Sequence, residues 1–168
     1  NVTNMSSMFS YCESFKSLDI SNFNTSNVTN MGSMFNNCQT LTNINLSNFD
    51  TSNVTTMGDM FSYCFNLISL NLSNFNTSKV TRTQRMFYNC RNLTSLNLTN
   101  FDTSNVTDMG EMFGSCINLT NLDLSSFDFT SVTDSNYMFN NMPSKSSGAM
   151  VYVKDKDSQT FVLNIVRV

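Results

Sequence analysis

The five cysteines, Cys12, Cys38, Cys64, Cys90 and Cys116, stand 26 residues apart at every step. A period this strict constrains the fold more than any single motif. A chain that repeats one short unit must stack it, because one copy cannot bury its own apolar stripe. Cut at that stride from Asn1, the sequence gives five full copies and a sixth, SVTDSNYMFNNM, that stops at Met142 just before Pro143, the only proline. The second copy reads NVTNMGSMFNNCQTLTNINLSNFDTS, with apolar positions at Val28, Met31, Met34, Phe35, Cys38, Leu41, Ile44, Leu46 and Phe49.

Spacings of three and four between Val28 and Cys38 predict a short helical or 3₁₀ turn. The hydroxyls of the Thr51–Ser52 step would cap the next one. From Leu41 the pattern becomes LxxLxLxxF, and its L-x-L centre predicts a short strand with alternate residues inward. One short parallel strand and one short helical turn per repeat, stacked over residues 1–142, make an α/β repeat solenoid. Residues 143–148 read as a linker. In residues 149–168 the runs AMVYV and TFVLNIV flank KDKDSQ, which predicts two short strands or a hairpin, a β-rich C-terminal cap over the open edge of the array. The first residue falls in mid-pattern, so further repeats, a cap or an anchor are expected upstream.

Composition removes whole classes of chemistry. There is no histidine among 168 residues, which excludes His-based triads, imidazole metal sites and imidazole pH switches within this sequence. Charged residues are only 12% and the formal charge is −3, a balance that disfavours nucleic acid or an acidic membrane as partner. No apolar run is long enough to span a bilayer. Nucleophile motifs and glycine-rich phosphate loops are absent from the sequence, so no enzyme, cofactor or metal is expected.

The LxxLxLxxF strand resembles leucine-rich repeats, with phenylalanine where most classes place Asn or Cys. The added MFxxC and DTSNVTxM segments are similar, more specifically, to BspA-like repeats, 26-residue units of bacterial surface proteins also found in mycoplasma lipoproteins. The resemblance runs through residues 1–142, and GAMVYVKDKDSQTFVLN is similar to segments that close such arrays. It implies a right-handed leucine-rich solenoid on an extracellular bacterial cell surface, used for adhesion or recognition, and it supplies no catalytic residues. Twelve N-x-S/T sequons would jacket the chain in glycan in a eukaryotic secretory pathway, which also favours a bacterial source.

The phenylalanine columns (Phe9, Phe35, Phe61, Phe87, Phe113, Phe139 and Phe23, Phe49, Phe75, Phe101, Phe127) recur at apolar-stripe positions and are expected in the core. The cysteines share that stripe and are expected there as free thiols. The Asn22, Asn48, Asn74 and Asn100 row precedes the second phenylalanine column, where an inward ladder would satisfy turn backbone groups.

Outward strand positions are the first candidate binding surface: Asp19, Asn45, Asn71, Asn97 and Asp123, flanked by Ser69 and Ser95 among others. The resemblance would make this the concave face, almost uncharged and dense in short donors and acceptors. Departures from the repeat are the second: Tyr63 and Phe65, and the basic stretch with Arg82, Arg85 and Arg91. Register sets Asp108 and Glu111 one repeat beyond Arg82 and Arg85, so pairing across the stack competes with a role in binding. The expected function is an adhesion or recognition module, monomeric, binding a host extracellular protein, a cell-surface protein or a glycan. A spacer that presents another domain is the alternative.

Overall fold

The computed structural model describes residues 2–166. Residues stack at a stride of 26, with parallel bridges running Asn4, Asn30, Thr56, Arg82, Asp108, Asp134 from one end of the array to the other. Seven of the nine apolar positions are fully closed to solvent in the third copy: Val54, Met57, Met60, Phe61, Cys64, Leu67 and Leu72 are all 0% exposed. This is an open parallel-stranded repeat solenoid with one continuous core.

The VTxMxxMFxxC segment carries the tightest backbone ladder, and it is not helical. Alternate amides divide the work. The N–H groups of Met31, Ser33, Phe35 and Asn37 donate to carbonyls of the next copy, Thr56, Gly58, Met60 and Ser62, at 3.1, 2.8, 2.9 and 2.7 Å. Those of Met34, Asn36 and Cys38 fold back three residues within their own copy at 3.2, 3.0 and 3.3 Å. Ser33 and Asn37 have φ of +56° and +60°, and the equivalent residues of every copy do the same. A positive φ at the third residue of a turn is what a type II turn needs, and it stops helical propagation after one turn. The expected helical turn is therefore corrected to a run of overlapping turns. The hydroxyl of Thr51 caps no helix.

On the opposite side the ladder is looser. Thr42 N–H reaches Lys16 O at 3.2 Å, Ile68 N–H reaches Thr42 O at 3.2 Å, and Thr94 N–H reaches Ile68 O at 3.4 Å. Regular strands form only toward the C-terminal end: β1 (Ser95–Leu96), β2 (Asn121–Leu124) and β3 (Met150–Val153) in one parallel sheet of that order. Side chains make up for the thin ladder. Buried Thr25, Thr51, Thr77 and Thr103 each donate a hydroxyl hydrogen bond to the carbonyl of residue 50, 76, 102 or 128 in the next copy, at 2.9–3.0 Å. Each also accepts that same residue's N–H at 2.8 Å. The Asn48, Asn74 and Asn100 amides donate to two turn carbonyls apiece in the preceding copy, at 2.7–3.1 Å.

The array ends by changing this code. Where the threonine column would continue, the fifth copy has Phe129, 8% exposed, whose ring stacks on Phe161 at 4.5 Å. Phe161 belongs to helix α1 (Lys156–Val166). The β-rich expectation for residues 149–168 is thus corrected: β3 is a strand, but TFVLNIV is helical as far as it is described. Asp155 accepts the Ser158 N–H at 2.8 Å as N-cap, and buried Ser158 and Val162 share a face with half-buried Phe161, the i, i+3, i+4 spacing of an amphipathic helix. The β-branched residues of that run read as strand until this cap is recognised. Residues Lys145–Ser147, read as linker, form a single 3₁₀ turn.

Because Thr77 satisfies two buried backbone groups at once, Thr77→Val keeps the shape but orphans the Asp102 amide. A loss of about 1–3 kcal/mol is expected in denaturant unfolding, against a small change for Thr77→Ser.

Candidate binding surface

Among the outward strand residues, each carboxylate or amide oxygen is already engaged. The Oδ1 atoms of Asp19, Asn45, Asn71, Asn97 and Asp123 accept the N–H two residues on, at 2.9–3.1 Å. These Asx turns close the bend after the strand. The row is outward-facing, with Ser69 and Ser95 exposed beside it, and its remaining polar atoms face solvent. A second Asx-turn row, Asn24, Asp50, Asn76, Asp102 and Asp128, does the same for Ser26, Ser52, Ser78, Ser104 and Thr130.

The departures from the repeat, separate in sequence, converge on the third and fourth copies. Tyr63 meets Tyr88 edge-on at 5.3 Å and Phe65 edge-on at 5.9 Å. The Arg91 guanidinium lies over the Phe65 ring at 5.0 Å, and that of Arg85 near the Tyr88 ring at 5.9 Å. Tyr88 fits because the next copy has Gly114 at its level, where an added Cβ would sit 2.9 Å from the ring. Ile117 and Ile68, 50% and 53% exposed, add aliphatic surface in neighbouring copies.

The basic residues differ in what they are free to do. Arg85 donates through Nε and Nη2 to Glu111 Oε1, the Nε bond being 2.9 Å, so the pairing across the stack that register anticipates is present here. Half-buried Asp59 lies in the field of the same arginine. Burial raises its pKa and Arg85 pulls it back. Arg82 and Asp108 share a backbone bridge without an ion pair. Arg91 donates through Nε to Asn89 Oδ1 at 2.7 Å. Asn89 is 6% exposed and sits at φ +61°. It is the one member of the cluster with no apolar or charged signal in the sequence, and reading the sequence missed it.

The buried cysteines, Cys38, Cys64, Cys90 and Cys116, are shielded from reagents. All five cysteines are free thiols. Cys38, Cys64, Cys90 and Cys116 point their S–H at the Phe9, Phe35, Phe61 and Phe87 carbonyls, at 3.0–3.1 Å. Burial pushes Cys38 up to about 11 and Cys116 up to about 12, with Cys64 and Cys90 also raised by burial. Neighbouring phenylalanine rings beside the thiols stack at 5.5–6.0 Å. No group of three or more metal-ligating side chains occurs among the described residues, and no described helix is long and apolar enough to cross a membrane.

Two measurements follow from these environments. A thiol reagent at neutral pH should modify the half-buried Cys12 alone in the folded chain and all five cysteines in denaturant. Asp50, Asp102 and Asp128 have pKa values lowered by the hydroxyl, then the N–H, of the residue two on. Their stabilising effect is complete above the ordinary carboxylate value of 3.8 and is lost as pH falls below it. Replacing all three with asparagine, which Asn24 and Asn76 already use, should keep the turns and lower the melting temperature at pH 7 slightly, by the charge assistance removed. It should also reduce the loss on acidification below about pH 4.

A solved leucine-rich repeat protein from Eubacterium ventriosum ATCC 27560 is similar over 70% of this chain and 29% of its own, at 20% identity and a TM-score of 0.45. This chain thus spans less than a third of that protein. No curated protein sequence matches. A family model described as "Mycoplasma protein of unknown function, DUF285" matches residues 1–69 and again 65–149, in keeping with the resemblance to BspA-like repeats of mycoplasma lipoproteins. The chain belongs to this family.

Proposed function

We propose that this chain is a non-enzymatic recognition module of a bacterial cell surface, binding a host or neighbouring-cell protein or glycan through one side of the solenoid, which we take to wind right-handed as parallel crossovers do. The observation that carries the reading is the gathering of Tyr63, Phe65, Tyr88, Arg85 and Arg91, aromatic rings and guanidinium groups in mutual contact, at one place on the third and fourth copies. Aromatic and arginine side chains clustered together supply most of the binding energy at protein interfaces. The Asx-turn row from Asp19 to Asp123 belongs to the opposite, strand side of the stack and would be a separate surface.

The second reading, a spacer that presents another domain, draws on the same row. Its Oδ1 atoms already close their own turns, as a merely solvated wall requires.

The test is a binding screen of the chain against immobilised matrix proteins, cell-surface receptors and a glycan array. Two variants run beside it, Tyr63→Ala with Phe65→Ala, and Asn45→Arg with Asn71→Arg and Asn97→Arg, both checked by circular dichroism. Binding that falls at least tenfold in the first variant is expected. Loss confined to the second would move the site to the strand row, and absence of any ligand for the folded chain would favour the spacer.

A further inference from the structure

Two arginines of the cluster sit on aromatic rings, yet only one of them has an anionic partner. Glu111 takes both Nε and Nη2 of Arg85, which leaves little of that guanidinium for a ligand. Arg91 is held by different means. Its face rests on Phe65 at 5.0 Å and its Nε is clamped by the Asn89 carboxamide at 2.7 Å. Asn89 is itself buried, 6% exposed, in a left-handed backbone conformation with its N–H on Gly114 O at 2.7 Å. Among the described residues neither terminal nitrogen of Arg91 has a hydrogen bond or an acidic partner. The result is a guanidinium with its orientation fixed and its fork of N–H donors open to solvent, the geometry that matches a carboxylate in bidentate fashion. Ordering an arginine normally costs side-chain entropy on binding, and here the fold has already ordered it.

We propose that Arg91 is the anchor of this surface and receives the carboxylate of an Asp or Glu in an acidic segment of a partner protein. The proposal rests on the recognition reading above and names its partner chemistry. Charge complementarity supports an acidic partner, since Arg91 has no ion pair among the described residues. The surroundings favour a peptide over a sugar acid, because Phe65, Tyr63 and exposed Ile117 offer apolar contact to the side chains flanking the carboxylate. Asn89 acts through Arg91 and is a positioning residue.

The experiment uses the whole chain and a panel of fluorescent peptides in which one glutamate stands between apolar residues, each paired with its glutamine counterpart. Glucuronate-terminated oligosaccharides are run in parallel. Glutamate peptides should bind at least tenfold more tightly than their glutamine counterparts, with an affinity that falls as salt rises. Arg91→Lys, which keeps the charge and loses the fork, should weaken them about tenfold. Asn89→Gly preserves the left-handed backbone and removes only the clamp, so it should weaken them too and broaden the Arg91 Nε–H resonance in a nitrogen-correlated NMR spectrum. Equal binding of glutamate and glutamine peptides overturns the proposal, as does retention of binding in Arg91→Lys, or binding by the oligosaccharides alone. If the chain captures proteins in the wider screen while Arg91→Lys changes nothing, the anchor is wrong and the recognition reading stands. If neither assay gives binding, both are wrong.

Discussion

Everything in this solenoid depends on an alternation along one short stretch of backbone. In each copy the odd amides of the MxxMFxxC segment reach forward to the next copy while the even ones close turns behind them. A helix makes no such division, because all its amides point one way along the axis, and a strand alternates its amides between neighbours without folding any of them back on itself. The division is available here because two residues per copy accept a left-handed conformation, at roughly 1–2 kcal/mol each for a residue with a Cβ. Four forward bonds per junction, with phenylalanine rings packed beside them at 5.5–6.0 Å, offset that cost. The same ladder sets the stride and brings residues 26 apart into register, so it also decides which departures from the repeat become neighbours. Tyr63 meets Tyr88, and Arg85 meets Glu111, for this reason alone.

The other side of the stack holds together by side chains. Threonine hydroxyls and asparagine amides provide between copies the bonds that a full sheet would draw from the backbone. The buried threonine and asparagine side chains are bonded across junctions, while Ser62 Oγ and Gln84 Oε1 are buried without a partner. Cooperativity between copies therefore has a chemical basis beyond apolar contact, since unstacking one copy orphans buried donors and acceptors on its neighbour.

Much of this was legible in the residues. The period, the apolar columns, the asparagine ladder and the pairing of Arg85 with Glu111 can all be read from spacing. The left-handed positions cannot. They are occupied by Ser, Tyr, Asp, Asn, Arg and Glu, with no glycine to mark them, while Gly32, Gly58 and Gly110 stand one residue earlier. Spacings of three and four therefore read as a helical turn. In TFVLNIV the β-branched residues outvoted the Asp155 cap, which needed tertiary burial of Phe161 to prevail. At the candidate surface, Tyr63, Phe65 and the arginines stood out as exceptions to the repeat. Asn89 did not, because asparagine also occupies that place in the second copy as Asn37, and only the approach of Arg91 gives it a distinct part.

Phe129 has a bearing on how such arrays change length. Copies one to four each finish with a threonine whose hydroxyl is completed by whatever copy comes next. They are interchangeable parts, and a duplication or deletion of one whole unit among them rebuilds every junction it disturbs. The fifth copy is different, because its phenylalanine is addressed to Phe161 in the terminal helix and to no further repeat. Recombination can lengthen or shorten the array from within while its last unit and its lid travel together as one inherited block. The binding surface on the third and fourth copies can thereby be moved nearer to that end or farther from it without any change in its own residues.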